Sequence, residues 1–258
     1  MNVLDLFSGI GGMALGFQRA GLRPVAFCEQ TPYARAILAR AWPRLPCYTD
    51  IRMLTAELLH RDNVPRPDII SGGFPCQDIS TAGAGAGLHG ERSGLWSEMF
   101  RLVRECRPGW VVAENVPALR VRGADRVLAD LEAAGYTCWP LVVGAAHAAA
   151  PHRRARVFIL AHAGRAGLED RLSRPAQPPP RLPVERRGGW PAEPGVGRVA
   201  DGVPARVERL RALGNAVVPD VAEMIARALL STQAAVERTR SAKSLRNLAT
   251  FGPTTARQ

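Results

Sequence analysis

The chain has 258 residues, with 34 Lys and Arg against 23 Asp and Glu and a formal net charge of +11. No run of ~18 apolar residues is present, which argues against a membrane-spanning helix, and the basic surplus points to a polyanionic partner. The five cysteines, at 28, 47, 76, 106 and 138, are odd in number and form no C-x-x-C pair. That argues against a disulfide framework or a metal site and for a reducing cytoplasm.

In chain order, Val3–Phe7 reads as a buried strand that follows no basic, apolar leader. Gly11–Gly21 reads as a helix, Pro24–Cys28 as a strand and Pro32–Ala41 as a helix. A strand at Asp68–Ser71 leads into a glycine-rich loop that reaches Gly94. Leu95–Cys106 then reads as a helix, Trp110–Ala113 as a strand, Asp125–Ala134 as a helix and Val157–Leu160 as a strand. Such alternation predicts a Rossmann-like, doubly wound α/β fold with a mostly parallel sheet. Composition shifts near Gly164 to Pro, Gly and Arg, and periodicity returns at Val207–Leu213. Val221, Ile225 and Leu229 then share one face of a helix over Asp220–Leu230. The expected organisation is a discontinuous catalytic unit over 1–163 and 205–231, a short loop-rich insert at 164–204 and a frayed polar tail at 232–258.

Two regions carry chemistry. Gly9-Ile10-Gly11-Gly12-Met13-Ala14 satisfies G-x-G-x-x-A directly after a strand, and Glu29 follows Gly9 by twenty residues. Glycines there permit a tight turn and close approach to a ligand, while the carboxylate suits two ribose hydroxyls. Asp50 is a second carboxylate at the same sheet rim. This pattern fits NAD as well as S-adenosylmethionine. The second region is Gly72-Gly73-Phe74-Pro75-Cys76-Gln77-Asp78, which puts a thiol at a strand's C-terminal end, where α/β enzymes place ligands. The other four cysteines read as small core hydrophobes. Glu114 ends another strand, where a pocket raises a carboxyl's pKa and lets it act as an acid. Arg154 and Arg156 alternate at the start of the next strand and share one side of it.

Taken together, these segments resemble the cytosine-C5 DNA methyltransferase family. The matching stretches are Asp5–Gly12, Phe74–Ser80, Glu114–Val116, Arg154–Phe158 and Leu213–Pro219, in the family's order. The resemblance implies that Cys76 attacks cytosine C6, Glu114 serves N3, Arg156 contacts the base and Arg154 supports the same pocket. It implies that Phe7, Gly9, Gly11, Gly12, Glu29, Asp50 and Ile51 hold S-adenosylmethionine, closed by Pro75, Asn215 and Val217. It also implies double-stranded DNA as partner, touched by Gln77 and Ser80 of a mobile loop, with Arg186 and Arg187 of the insert as candidate phosphate contacts. A cytoplasmic monomer beside a companion restriction endonuclease is the expected setting.

The sequence departs from the family's pattern in places. His152 stands where the family usually has Gln before its two arginines, and Gln30 where some members stack an aromatic on adenine. The insert between the fourth and fifth motifs is short. Two alternatives stay open at this point: the same chemistry on RNA, and an NAD-binding oxidoreductase. The first is weakened because the Cys-Phe-Thr tripeptide of tRNA-acting relatives is missing. The second leaves Cys76 and Glu114 without a joint purpose.

Overall fold

The computed structural model describes residues 1–75, 94–164 and 206–250, with backbone alone at 239–240 and 242–250. The elements run β1 (Asn2–Leu6), α1 (Gly12–Arg19), β2 (Arg23–Cys28), α2 (Pro32–Ala41), β3 (Cys47–Tyr48), α3 (Ala56–Arg61), β4 (Ile69–Gly72) and α4 (Gly94–Cys106). They continue with β5 (Trp110–Asn115), α5 (Leu119–Arg122), α6 (Ala124–Ala133), β6 (Tyr136–Val143), a 3-10 turn (Ala145–Ala148), β7 (Arg156–Ala163), α7 (Arg206–Asn215) and α8 (Pro219–Thr250).

One seven-stranded sheet is ordered β3-β2-β1-β4-β5-β7-β6. The first five strands of that order are parallel. β7 runs antiparallel to both β5 and β6. The order reverses between β1 and β4, which is the topological switch point where open α/β sheets bind ligands beyond their carboxyl ends.

The strand sequences explain the two layers. Leu4 and Leu6 face one way, with Ile70, Val111, Ala113 and Ile159, against Met99, Leu102 and Val103 of α4 and Val127 and Leu131 of α6. Their alternate neighbours Val3, Ile69, Val112 and Phe158 face the other way, against Met13 and Phe17 of α1 and Val221, Ile225 and Leu229 of α8. The near-continuous apolar strands are what a sheet covered on both faces requires.

Three differences from the sequence reading have physical causes. β6 was not expected, because Pro140 interrupts its apolar run; the structure puts it at the sheet edge, where a missing ladder donor is tolerated. α3 is a short helix whose apolar periodicity is too brief to read. Its start is fixed by the Thr55 side chain, which accepts from the Leu58 amide at 3.0 Å. α8 does not fray after Leu230 but continues to Thr250. Ala235 and Val236 are buried, and Gln233 accepts from the Trp110 indole at 3.0 Å, so the helix keeps a packed face as far as Val236. The 164–204 insert lies outside the described residues except at Gly164.

Candidate active site

The loop after β1 is folded back by its own polar groups. The Ser8 hydroxyl donates to the Asp5 carbonyl at 2.6 Å, and the Gly11 amide donates to the Ser8 carbonyl at 2.9 Å. Phe7, Gly9 and Gly11 all have positive φ, at 51°, 53° and 83°. Gly9 faces open space: a Cβ there would meet nothing within 4 Å. Its amide donates to Glu29 Oε2 at 2.8 Å, while Glu29 Oε1 accepts from the Thr31 amide at 2.7 Å. Each Glu29 oxygen thus accepts one backbone hydrogen bond among the described residues.

Gly11 and Gly12 serve packing. A Cβ on Gly11 would lie 2.6 Å from the Trp42 ring, and one on Gly12 would run into the Val217 carbonyl. Gly16, one turn on, is pressed in the same way against the Pro219 carbonyl. α1 thus lies against the start of α8, and Val217 forms a wall of the loop. Asp50 accepts from the Arg52 amide at 2.9 Å. Ile51 is buried, and its carbonyl accepts from Arg101 at 3.0 Å. Asn215, at the end of α7, is exposed.

The second half of the site is built from β4, β5 and β7. Asn115 is buried; its amide group donates to the Phe74 carbonyl at 2.9 Å and its Oδ1 accepts from the Val116 amide at 2.8 Å. This fixes the backbone at Phe74-Pro75, immediately before Cys76. Phe74 is itself anchored on Trp96, with ring centroids 5.2 Å apart.

Glu114 is 8% exposed. Its Oε1 lies 3.1 Å from Arg156 Nε, and its Oε2 stands over Gly73, where a Cβ would be 2.8 Å away. Gly73 therefore makes room for the carboxyl. Burial pushes the Glu114 carboxyl up to about 7, against the opposing pull of Arg156 and then Arg154. A carboxyl poised near neutrality gives and takes protons readily.

The two arginines, which the sequence places side by side, do different things. Arg156 pairs with Glu114. Arg154 turns away from direct pairing and donates through Nη2 to the carbonyls of Gly214 at 2.7 Å and Ala216 at 2.6 Å.

Cys76, Gln77, Ser80, Arg186 and Arg187 lie outside the described residues. The other four cysteines are unpaired, and burial holds their thiols up: Cys28 to about 12 and Cys106 and Cys138 to about 11, with Cys47 raised as well. None of the four is suited to be a thiolate nucleophile.

The sequence profile of the C-5 cytosine-specific DNA methylases matches residues 1–185. The chain belongs to this family. Among its relatives in the family, the Type II methyltransferase M2.BsuMI of Bacillus subtilis is 37% identical over 169 residues, covering 62% of this chain and 42% of that protein. M.NgoBI of Neisseria gonorrhoeae, also a Type II methyltransferase, is 32% identical over 163 residues, covering 62% and 50%. This family member thus spans about half the length of those relatives. A prophage-encoded protein of Escherichia coli described as a DNA modification methyltransferase superposes with a TM-score of 0.54 at 31% identity, over 63% of this chain and 47% of that one. The Dnmt2 methyltransferase of S. pombe shares the fold at 23% identity, with a TM-score of 0.54 over 69% and 57%. Membership removes the oxidoreductase alternative and identifies the doubly wound sheet as a methyltransferase fold.

Sequence reasoning missed several contributors. Asp5 is 1% exposed, and its Oδ1 accepts from the Ser71 hydroxyl at 2.5 Å while Oδ2 has no hydrogen-bond partner among the described residues. Burial pushes this carboxyl up to about 7, opposed by Ser71 and Ser8. It ties β1 to β4 at the switch point. The sequence reads Val3–Phe7 as a buried strand, but nothing in it says that the Asp5 carboxyl would bond Ser71 of β4. Gly73 had a signal, the Gly-Gly pair before Phe74, whose meaning appears only with Glu114 opposite. Among the described residues, no cluster of His, Cys, Asp or Glu is arranged to hold a metal ion, and no helix is long and apolar enough to cross a membrane.

Proposed function

We propose that this chain transfers the methyl group of S-adenosylmethionine to C5 of a flipped-out cytosine in double-stranded DNA, with Cys76 as covalent nucleophile. The observation that carries the reading is buried Glu114 paired with half-buried Arg156, with Asn115 anchoring the backbone that leads to Cys76. A site that must serve a pyrimidine edge and a thiol together has the parts it requires.

The residues at the sheet rim fit the cofactor. Gly9 leaves open space in front of a positive-φ backbone, Glu29 holds its carboxylate beside it for ribose hydroxyls, and Phe7, Asp50 and Ile51 are proposed to line the same pocket. Gly11 and Gly12 act through packing, holding Trp42 and Val217 in place as walls. Pro75 and Asn215 are proposed to close the site. When bound, the cofactor supplies an electrophilic methyl group on a sulfonium.

Cytosine C5 is too electron-poor to take that methyl directly, and covalent addition divides the task. The Cys76 thiolate bonds to C6, and the displaced electron pair moves through C5 towards N3. Glu114, as the carboxylic acid, donates a proton to N3, and Arg156 holds the carboxyl towards the base. C5, made nucleophilic in this way, would take the methyl group that the bound cofactor supplies. Solvent takes the C5 proton, the C5–C6 double bond re-forms, the Cys76 thiolate leaves, and Glu114 recovers its proton from N3.

Gln77 and Ser80 are proposed to follow the DNA as the loop closes, and Arg186 and Arg187 to touch phosphates. A restriction–modification or phage-protection setting with a companion endonuclease is part of the proposal; the relatives themselves are named as Type II methyltransferases. The unpaired cysteines support a reducing cytoplasm. We take the working unit to be a monomer.

Incubation with tritiated S-adenosylmethionine and either duplex DNA or tRNA tests the substrate. Label entering duplex DNA as 5-methylcytosine is expected. Label in tRNA alone would transfer the same chemistry to RNA, and no label in either would end the proposal.

A further inference from the structure

Arg154 and Arg156 sit two residues apart, yet their guanidinium groups reach different partners. Arg154 reaches across about 60 residues of sequence to hold the carbonyls of Gly214, in the last turn of α7, and Ala216, just beyond it. Its backbone has φ of +28°, a conformation that side-chain-bearing residues rarely adopt. Such a conformation persists only where the surroundings fix it. Burial lowers the pKa of its guanidinium, and Arg156 lowers it further. The two carbonyls and the nearby Glu114 charge offset that cost, and hydrogen bonds with an ionised donor are the strong ones.

The segment it holds matters. The next carbonyl after Ala216 belongs to Val217, which is pressed on Gly12, and Pro219 does the same to Gly16. A small cleft joins Arg154, Arg156, Phe158, Val217 and Val218. One guanidinium therefore ties the start of β7 to the segment that walls the loop after β1.

We propose that Arg154 is a positioning residue: it latches residues 214–217 to the start of β7 and, through Val217, sets the shape of the cofactor site. The identity of the cofactor rests on the methyltransferase reading above; the latch itself does not.

The test compares the full chain with Arg154→Met and Arg154→Lys. S-adenosylmethionine affinity is measured by calorimetry without DNA, and kcat and KM for the cofactor are measured with duplex DNA. Amide hydrogen exchange is followed in 213–217 and in 110–116. Losing hydrogen bonds from a charged donor predicts for Arg154→Met a rise of about tenfold or more in Kd and KM for the cofactor. The latch also predicts kcat within about threefold of the parent. Exchange is expected to quicken in 213–217 and to stay unchanged in 110–116, and Lys, which keeps the charge, to restore part of both. Lost kcat with unchanged KM would put Arg154 on the base instead and overturn the proposal, as would unchanged exchange in 213–217. Should Arg154→Met fail to fold, Arg154→Lys decides by the same split between KM and kcat. A parent chain that binds no S-adenosylmethionine would sink the methyltransferase reading, while the exchange experiment would still judge the latch.

Discussion

Glu114 illustrates how burial sets chemistry at a single residue. Its carboxyl is held near neutrality because water is excluded from it, and Arg156 limits the shift without abolishing it. In the proposed mechanism the acid form donates to N3, so turnover is expected to decline as pH rises above about 7, where that form is lost. Glu114→Gln keeps the shape and removes the proton. It is expected to lower kcat by about 10²–10⁴-fold and to erase the alkaline decline in the pH–rate profile. A variant with the parent's rate and profile would show that Glu114 is not the acid. The residue and the direction of its shift were legible from sequence as a carboxyl ending a strand at a pocket. The partners that set the size of the shift were not, because Gly73, which makes room for the carboxyl, and Arg156, which opposes the shift, come from two other segments of the chain. The division of labour between Arg154 and Arg156 was also hidden: strand alternation puts both on one side, and only the path of the distant 214–217 segment separates them.

At the level of elements, α1 and α8 show how a glycine pattern serves two purposes. The motif reads as a ligand loop, and Gly9 fits that role. Gly12 and Gly16, four residues apart, instead let a helix lie against the carbonyls of Val217 and Pro219. Gly16→Ala puts a methyl group into that contact and is expected to lower stability by about 1–3 kcal/mol, read as a lower urea midpoint with an unchanged m-value. An unchanged midpoint would mean that the two helices can separate without cost. Most elements were legible because their apolar patterns are strong: α2 spans Pro32–Ala41, as its pattern predicts, and β1, β2, β4 and β5 fall where apolar runs end in Gly, Glu or Asn. β6 escaped because Pro140 interrupts it, and the extension of α8 escaped because Ala-rich polar sequence looks the same in a packed helix and in a frayed tail.

Across the whole molecule, parallel strands ending at one rim gather the cofactor loop, Glu29, the approach to Cys76 and Glu114 from segments up to about a hundred residues apart. The excess of positive charge, +11 on 258 residues, suits a polyanionic substrate brought to that rim. The chain spans about half the length of the Type II relatives it matches, and the proposed DNA contacts of the region between β7 and α7 rest on a short segment. The central claim is a bond between Cys76 and C6 of the target base. Duplex DNA carrying 5-fluorocytosine blocks the last step, because fluorine cannot leave C5 as a proton does. With S-adenosylmethionine present, the chain is expected to form a complex with this DNA that survives denaturing electrophoresis, and Cys76→Ala is expected to form none. A Cys76→Ala protein that is trapped as well as the parent, or a parent that methylates normal DNA but is never trapped, would contradict the account.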